Sequence, residues 1–311
     1  MRFIGDTQID FLGKRKFAFV FSGILLLAGL ASLIVKAGPS YGIDFLGGTE
    51  VSVQFQQNHE TGKLRSALRD AGFTNIEIKQ FGSPRAFLIR VQEQQSGTEV
   101  SDRIVQSLRQ AAPDDAPDLL SVDSVGPKIG KELRESAVLA VLFALALILL
   151  YISVRFEFIF AVGAVIALFH DVLITLGIFS LLNLEISLAI VAAFLTLVGY
   201  SLNDTIVVFD RIRENMNLSR RDTEATEKTI NLSINQTLSR TILTSGTTLI
   251  VVVVLFLFGG GVIHNFALCM LIGIAIGTYS SIFVAAPVVA EWHKEHAKKK
   301  IKKGSPAKVR S

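Results

Sequence analysis

The sequence predicts a polytopic α-helical membrane protein with six transmembrane helices and one small α+β domain of ferredoxin-like type outside the cytoplasm. Half of the 311 residues are apolar and the mean hydropathy is +0.49, which is too hydrophobic for a soluble domain of this size. The apolar residues also fall in runs of about twenty, the length that a helix needs to cross about 30 Å of hydrocarbon. Only the segment between the first two runs has the mixed texture of a water-soluble domain.

Six apolar runs are the predicted spans. They are Phe17 to Val35, Ala137 to Val154, Phe158 to Leu182, Ile186 to Phe209, Thr241 to Phe258 and Phe266 to Val289. The first run is longer than the apolar part of a signal peptide, which is usually about 7 to 15 residues, so we expect a retained anchor. A soluble protein is excluded by the other five.

Basic residues in the short connections predict the orientation, because Lys and Arg remain on the cytoplasmic side. They precede the first run, lie between the second and third and between the fourth and fifth, and fill the tail, whereas 183–185 and 259–265 contain none. Both termini are therefore expected in the cytoplasm, with 1–16 and the basic tail 290–311 there and 36–136 in the periplasm. This distribution, with anionic membrane lipid beside the tail, explains the basic charge, and no nucleic-acid partner is predicted.

The segment 36–136 alternates short strands with amphipathic helices in the order βαββαβ. The pattern predicts strands at 50–55, 76–81, 86–91 and 119–125, and helices at 61–71 and around Ile104 to Leu108. This order is the split βαβ arrangement of ferredoxin-like folds. It contains no nucleophile triad, metal-spaced cluster or phosphate-binding glycine loop, so we predict a binding or lever module without cofactor or metal. Cys269 is the only cysteine, which excludes an internal disulfide.

Four ionisable residues lie within or at the start of the apolar runs: His170, Asp171, Asp204 and Arg240. Charged groups inside a bilayer are costly, by about 2.5 to 3.5 kcal/mol each on insertion scales, and they usually mark a functional path. We predict that Asp204 takes up and releases a proton with Arg240 as its counter-charge. The alternative is a static ion pair that only fixes the packing of two helices.

Polar residues at helical spacing accompany these charges. Tyr200 and Asn203 share a predicted face with Asp204, and Thr244 shares one with Arg240, so the two stripes are expected to meet in a polar seam. His170 and Asp171 form either a proton path or a hydrogen-bonded packing pair. With no matching stripe for Asp171, we expect Asp171→Asn to impair function less than Asp204→Asn.

Two stretches resemble the SecD/SecF family of protein-export membrane proteins. The first, YGIDFLGGT at 41–49, is similar to the family's glycine-rich signature, with Gly42, Asp44, Phe45, Gly47, Gly48 and Thr49 as the motif residues. The second, VGYSLNDTIVVFDRIREN at 198–215, is similar to the fourth-span signature of the SecF branch. The roughly 100 residues of the outer segment also favour that branch, because SecD proteins carry a larger outer domain.

The resemblance implies a relative of the RND transporters, in which this chain forms one half and SecD the other. Such a pair is expected in the bacterial inner membrane, where it uses the proton-motive force to promote late steps of protein translocation through SecYEG after SecA has acted. The implied partners are SecD, SecYEG, other translocon accessory proteins, the translocating unfolded polypeptide and protons. By motif match Asp204 is the essential intramembrane acid and Arg240 the fifth-span arginine, while His170 and Asp171 match the third-span pair.

Three other functions stay open on the sequence. An RND-type exporter of small molecules or lipids would share the architecture but needs a ligand-sized apolar cleft. An intramembrane aspartyl protease would use Asp171 and Asp204, yet the residues before Asp204 lack the GxGD pattern of that class. A passive scaffold of the translocon would hold components together without moving protons.

Overall fold

The structure is a computed structural model and describes residues 7–80, 83–92, 99–218 and 223–304. Within these residues, six helices are long and apolar enough to cross a membrane, as the sequence predicts. These spans, numbered one to six along the chain, are Arg15–Val35, Pro127–Arg155, Phe158–Leu181, Leu188–Leu218, Thr226–Phe258 and Ile263–Glu295. Spans three and six are the most buried, and span two is the most exposed.

Several helices are longer than their apolar runs. Span one is α1 (Arg15–Val35), span two is α5 (Pro127–Arg155), span three is α6 (Phe158–Leu181), span four is α7 (Leu188–Leu218) and span five belongs to α8 (Thr223–Phe258). Hydropathy reports only the part of a helix that is apolar, whereas the hydrogen-bonded backbone continues into the polar flanks. The segment between the helices of spans one and two is accordingly shorter than the predicted 36–136, because α5 already begins at Pro127.

The sixth span is not one regular helix. Gly260 takes a φ of +71°, a left-handed conformation that suits glycine, where the chain turns from α8 into α9 (Gly260–Ser280). A π-helical turn, Ser281–Ala285, then joins α9 to α10 (Ala286–Gly304). Single π-turns inside helices are frequent at functional sites, and this one begins at the last residue of a run of hydroxyl side chains, Thr278 to Ser281.

The α+β domain lies between spans one and two. Its strands are β2 (Gly48–Gln54), β3 (Glu77–Gln80), β4 (Ala86–Val91) and β5 (Asp118–Val125), and its helices are α3 (Thr61–Asp70) and α4 (Glu99–Ala111). The antiparallel strand order β3-β4-β2-β5 is that of a ferredoxin-like sheet, as predicted. The helices cover one face of the sheet over a core that includes Phe55, Phe87, Leu68 and Ile104.

Short elements attach this domain to the membrane bundle. The strand β1 (Ser40–Tyr41) follows span one and pairs in parallel with β6 (Glu185–Ile186), which connects spans three and four. The one-turn helix α2 (Ile43–Leu46) then leads into β2. Ile186, predicted as the start of span four, is therefore part of a strand, because its backbone hydrogen-bonds to the outer segment before α7 begins.

Polar contacts bring the basic connections together at the other end of the bundle. Arg155 pairs with Asp210, and Glu227 pairs with both Arg15 and Lys294. The segment before span one is held there as well, since Asn231 and Asn235 of α8 hydrogen-bond to the backbone of Phe11 and Ile9. The two ends of the membrane bundle thus differ, with basic connections at one and the α+β domain at the other.

Candidate functional site

The Asp204 carboxylate lies inside the bundle where spans four, five and six meet. Its side chain is buried, and Oδ2 accepts hydrogen bonds from the Ser245 hydroxyl at 2.8 Å and the Thr278 hydroxyl at 3.2 Å. These two hydroxyls are also bonded to each other at 2.9 Å. A hydroxyl can donate to a carboxylate or accept from a protonated acid, so both protonation states of Asp204 find partners here.

The expected ion pair between Asp204 and Arg240 is not formed among the described residues. Arg240 lies on the outward face of span five, near enough to influence Asp204 by its charge but without direct contact. The reason is the helical repeat: Arg240 and Ser245 are five residues apart, and at about 100° per residue their side chains point in directions about 140° apart. With Ser245 facing Asp204, Arg240 faces out.

Three more of the predicted seam residues also lie on this outward side. Tyr200, Asn203 and Thr244 are exposed, and the Thr244 hydroxyl donates to the carbonyl oxygen of Arg240 at 2.9 Å. The predicted seam is therefore split, since Ser245 of span five turns inward to Asp204 whereas the other four residues turn outward. We name the outward group Tyr200, Asn203, Arg240 and Thr244 the polar face.

His170 and Asp171 form a second buried polar site, between spans one, three, four and six. Asp171 Oδ1 bonds to His170 Nδ1 at 2.8 Å, and Oδ2 accepts from the Ser201 and Ser280 hydroxyls at 2.5 and 2.7 Å. His170 Nε2 bonds to the Ser22 hydroxyl at 2.9 Å. The sequence shows no polar stripe to match Asp171, because its partners on spans four and six are isolated serines that form no stripe.

Span six joins the two carboxylate sites. Thr278 contacts Asp204 and Ser280 contacts Asp171, while Ser201 of span four lies one helical turn before Asp204. Among the described contacts the two carboxylates share no hydrogen bond, so they do not form the dyad of an aspartyl protease. Sequence reasoning missed Ser22, Thr278 and Ser280, although the hydroxyl run at 278–281 was a usable signal.

Close backbone approaches hold this arrangement. A Cβ on Gly29 of span one would lie 2.7 Å from the Cα of Gly177 in span three, and a Cβ on Gly277 of span six would lie 3.1 Å from the Cβ of Ser201. These contacts set the crossings next to the Asp171 site, as small residues do in membrane helices.

In the described part of the chain, no group of three or more His, Cys, Asp or Glu side chains is placed to hold a metal ion.

The glycine-rich motif lies far from these acids, at the junction of the α+β domain with the bundle. Gly47 and Gly48 have φ values of +75° and +122°, which favour glycine. The backbone also passes close to span two, since a Cβ on Gly130 would lie 3.2 Å from the nitrogen of Gly47. Phe45 packs into the core below the junction, and the Thr49 hydroxyl bonds to that of Ser124 at 3.2 Å.

Comparison with known proteins identifies the family. The family described as "Protein export membrane protein SecD/SecF, C-terminal" matches residues 104–295, and "SecD/SecF GG Motif" matches residues 32–58. The chain is 50% identical over 297 residues to the protein translocase subunit SecF of Rhodothermus marinus, covering 94% of this chain and 95% of that protein. It is 46% identical over 295 residues to the subunit of the same name from Vibrio alginolyticus, covering 94% of this chain and 92% of that protein.

Solved structures give the same result for the fold. SecDF from Thermus thermophilus, described as a translocon-associated membrane protein, matches with a TM-score of 0.82 at 40% identity over 92% of this chain. SecDF in a super-membrane-facing form matches with a TM-score of 0.70 at 40% identity over 97% of this chain. This chain spans 39% and 41% of the length of those two proteins. The chain belongs to the SecD/SecF family of protein-export membrane proteins, in its SecF branch.

Proposed function

We propose that this member of the SecF branch is one half of a proton-driven motor that, together with SecD, promotes late steps of protein translocation through SecYEG after SecA has acted. The observation that supports this proposal most directly is a buried carboxylate, Asp204, that is held by two hydroxyls and, within the described residues, is in direct contact with no cation. A carboxylate locked in an ion pair resists protonation, whereas one held by hydroxyls keeps partners in both charge states. This arrangement favours a proton-accepting role over a static ion pair.

Arg240 supplies the second state in this proposal. The guanidinium lies outside the Asp204 site in the present arrangement, and a change in the packing of spans four and five brings it to the carboxylate. An ionised Asp204 favours that approach and a protonated one does not, so proton binding biases the bundle between two packings. A single charge moved through about 100 mV supplies about 2.3 kcal/mol, which suits ratcheting of an unfolded chain rather than unfolding of a domain.

We propose that SecD packs against the polar face and shields it from lipid. Arg240 and Asn203 are exposed on membrane-spanning helices, and an exposed guanidinium facing hydrocarbon is costly. A second protein half that supplies polar groups at this surface removes the cost. The pairing is in keeping with the solved relatives, which are SecDF proteins more than twice the length of this chain.

The charged end of the bundle supports one orientation in the membrane. We propose the bacterial inner membrane, with the basic connections around Arg155, Arg15 and Lys294 in the cytoplasm and the α+β domain in the periplasm. That side is where a translocating polypeptide emerges. Leu119, Leu120 and Val122 on the edge strand β5 are exposed apolar side chains suited to contact an extended chain.

Asp204→Asn tests the proposal, with Asp210→Asn as the matched control. Both substitutions neutralise an aspartate of span four, but Asp210 lies at the basic end and pairs with Arg155 and Arg213. We expect Asp204→Asn to insert and to copurify with SecD while proton flux and proton-dependent export in inverted vesicles are lost, and Asp210→Asn to retain both. Full flux and export in Asp204→Asn at normal protein levels would contradict the proposal and leave a passive scaffold.

A further inference from the structure

Two independent contacts tie the α+β domain to the start of span four. The first comes from the glycine-rich motif. The Gly42 nitrogen donates to the carbonyl oxygen of Ile186 at 2.9 Å, and the Asp44 carboxylate accepts from the backbone nitrogen of Leu188 at 2.8 Å. Leu188 is the first residue of α7, so Asp44 caps this helix from another part of the chain and lies at the positive end of its dipole.

The second contact is an ion cluster that crosses from the sheet to the same connection. Arg90 of β4 is 7% exposed, and its guanidinium bonds to Glu50 at 2.6 Å, to Glu77 at 3.2 Å and, by a short contact, to Glu185. Lys79 of β3 bonds to Glu185 at 2.5 Å and to Glu77 at 2.8 Å. Glu50, Glu77, Lys79 and Arg90 belong to the sheet, whereas Glu185 belongs to the connection between spans three and four.

The connection is therefore bound on two sides within four residues. Ser40 and Glu185 are also register partners in the parallel pair of β1 and β6, which limits sliding of the connection along the domain. Removing one partner from a buried charge carries a large free-energy cost, so the cluster resists partial separation. The start of span four and the sheet are thus expected to move as one unit.

We infer that this contact is the joint through which movement of span four is transmitted to the α+β domain, with Asp44, Arg90 and Glu185 as its positioning residues. The inference rests on the proposed function. Span four carries Asp204 about 24 Å along the helix axis from Leu188, at about 1.5 Å per residue. A helix is stiff over this distance, so a shift of span four at Asp204 displaces its capped end and, through Glu185 and Arg90, the sheet.

The charges suit a joint that stays closed in use. Although burial by itself raises the pKa of Glu185, the hydrogen bonds and charges of Arg90 and Lys79 hold that pKa below its ordinary value of 4.5. Burial raises the pKa of Glu50, and the guanidinium that it shares with Glu185 does not fully offset this. The other charged groups around the cluster are Glu77 on β3 and Asp123 on β5. Glu185 stays ionised at any pH near neutrality.

Glu185→Gln tests the joint, with Glu77→Gln as the matched control. Both glutamates bond to Arg90 and to Lys79, but only Glu185 lies outside the sheet. The full complex with SecD is assayed in inverted vesicles for proton flux and for translocation of a secreted precursor. We expect Glu185→Gln to keep the proton flux and to lower export about tenfold or more, the factor expected from losing one charge-assisted hydrogen bond. Glu77→Gln is expected to keep both activities.

The remaining outcomes of this experiment separate a failure of the joint from a failure of the proposed function. Normal export in Glu185→Gln overturns the joint, and so does an equal loss of export in both variants, since that indicates a general effect on the cluster. Absence of Asp204-dependent flux in the unsubstituted protein contradicts the proposed function instead. If Glu185→Gln does not accumulate, Asp44→Asn, which weakens the other contact of the joint, is measured instead, and normal export in an assembled complex overturns the joint.

A structural readout separates transmission from stability. Spin labels at Asn58 of the α+β domain and Leu182 after span three report the distance between the domain and the bundle, and both residues are exposed. Because the joint stays closed in use, we expect this distance to be narrowly distributed in the unsubstituted complex, with or without a proton gradient, and to broaden in Glu185→Gln. The same distance distribution in both proteins contradicts the inference.

Discussion

The two buried carboxylates of the membrane bundle have different surroundings. Asp171 is 1% exposed and is bonded to His170 and to hydroxyls from two further spans, so each of its oxygens is occupied. Asp204 is bonded through one oxygen to two hydroxyls and borders the exposed polar face that contains Arg240. A site in which both carboxylate oxygens are bonded stabilises one packing, whereas a carboxylate bonded through one oxygen with a cation nearby can favour two.

The largest expected effect is the difference in export between Asp204→Asn and Asp171→Asn. The amide replaces the carboxylate with little change in shape, and at Asp171 the serine hydroxyls can reorient to bond to it. We expect Asp171→Asn to keep at least about a third of proton-dependent export while Asp204→Asn keeps less than about a thirtieth, a gap of tenfold or more, or about 1.4 kcal/mol. Equal loss in both, measured at matched protein levels, would contradict the comparison.

Stability is expected to show the opposite ranking. Asp171→Leu leaves His170, Ser201 and Ser280 without their shared acceptor, and the free energy of unfolding should fall by about 2 to 4 kcal/mol. Asp204→Leu removes fewer hydrogen bonds and should cost about half as much. Thermal inactivation of the purified complex in detergent measures both, and a greater loss for Asp204→Leu would show that the Asp204 site is the structural one.

Packing next to Asp171 can be tested with a pair of glycines on span one. The Cβ of Gly29→Ala would lie 2.7 Å from Gly177, whereas that of Gly23→Ala has no neighbour within 4 Å. We expect Gly29→Ala to lower the free energy of unfolding by about 1 to 3 kcal/mol through overpacking. Gly23→Ala should be neutral or slightly stabilising because alanine favours a helix. Equal melting temperatures for the two variants would show that the crossing is loose.

The smallest expected effect is the pH dependence of the joint. The folded pKa of Glu185 is depressed, so its contribution is present above its ordinary value of 4.5 and is lost as the pH falls through the folded value. The pKa of Glu50 is instead raised, so Glu50 takes up a proton at a higher pH than Glu185 does. Because Glu50 belongs to the sheet, its protonation does not open the contact between Arg90 and Glu185. The label distance between Asn58 and Leu182 should therefore be constant from pH 7 to about 4.5 and change below it. A transition near pH 6 would contradict this assignment.

The helices and the sheet were largely predictable. Runs of about twenty apolar residues have one physical solution in a bilayer, which is a helix, and the alternation in β2 and β4 with amphipathic α3 and α4 implies a two-layer domain. Helix ends were less predictable, because the polar flanks of α5, α7 and α8 carry no hydropathy signal. The functional importance of Asp204 was an expectation from its depth, and it stays a prediction.

The sequence by itself determined the number of spans, the ferredoxin-like domain and the family, since hydrophobic length, alternation and long motifs are local properties of the chain. Only the tertiary structure decided which polar groups meet. It separated Asp204 from Arg240, gave Asp171 serine partners from spans four and six, and placed Glu185 against Arg90 across 95 residues of sequence. Such contacts depend on the rotation of each helix and on the docking of the sheet, and these are fixed by packing between elements distant in the chain.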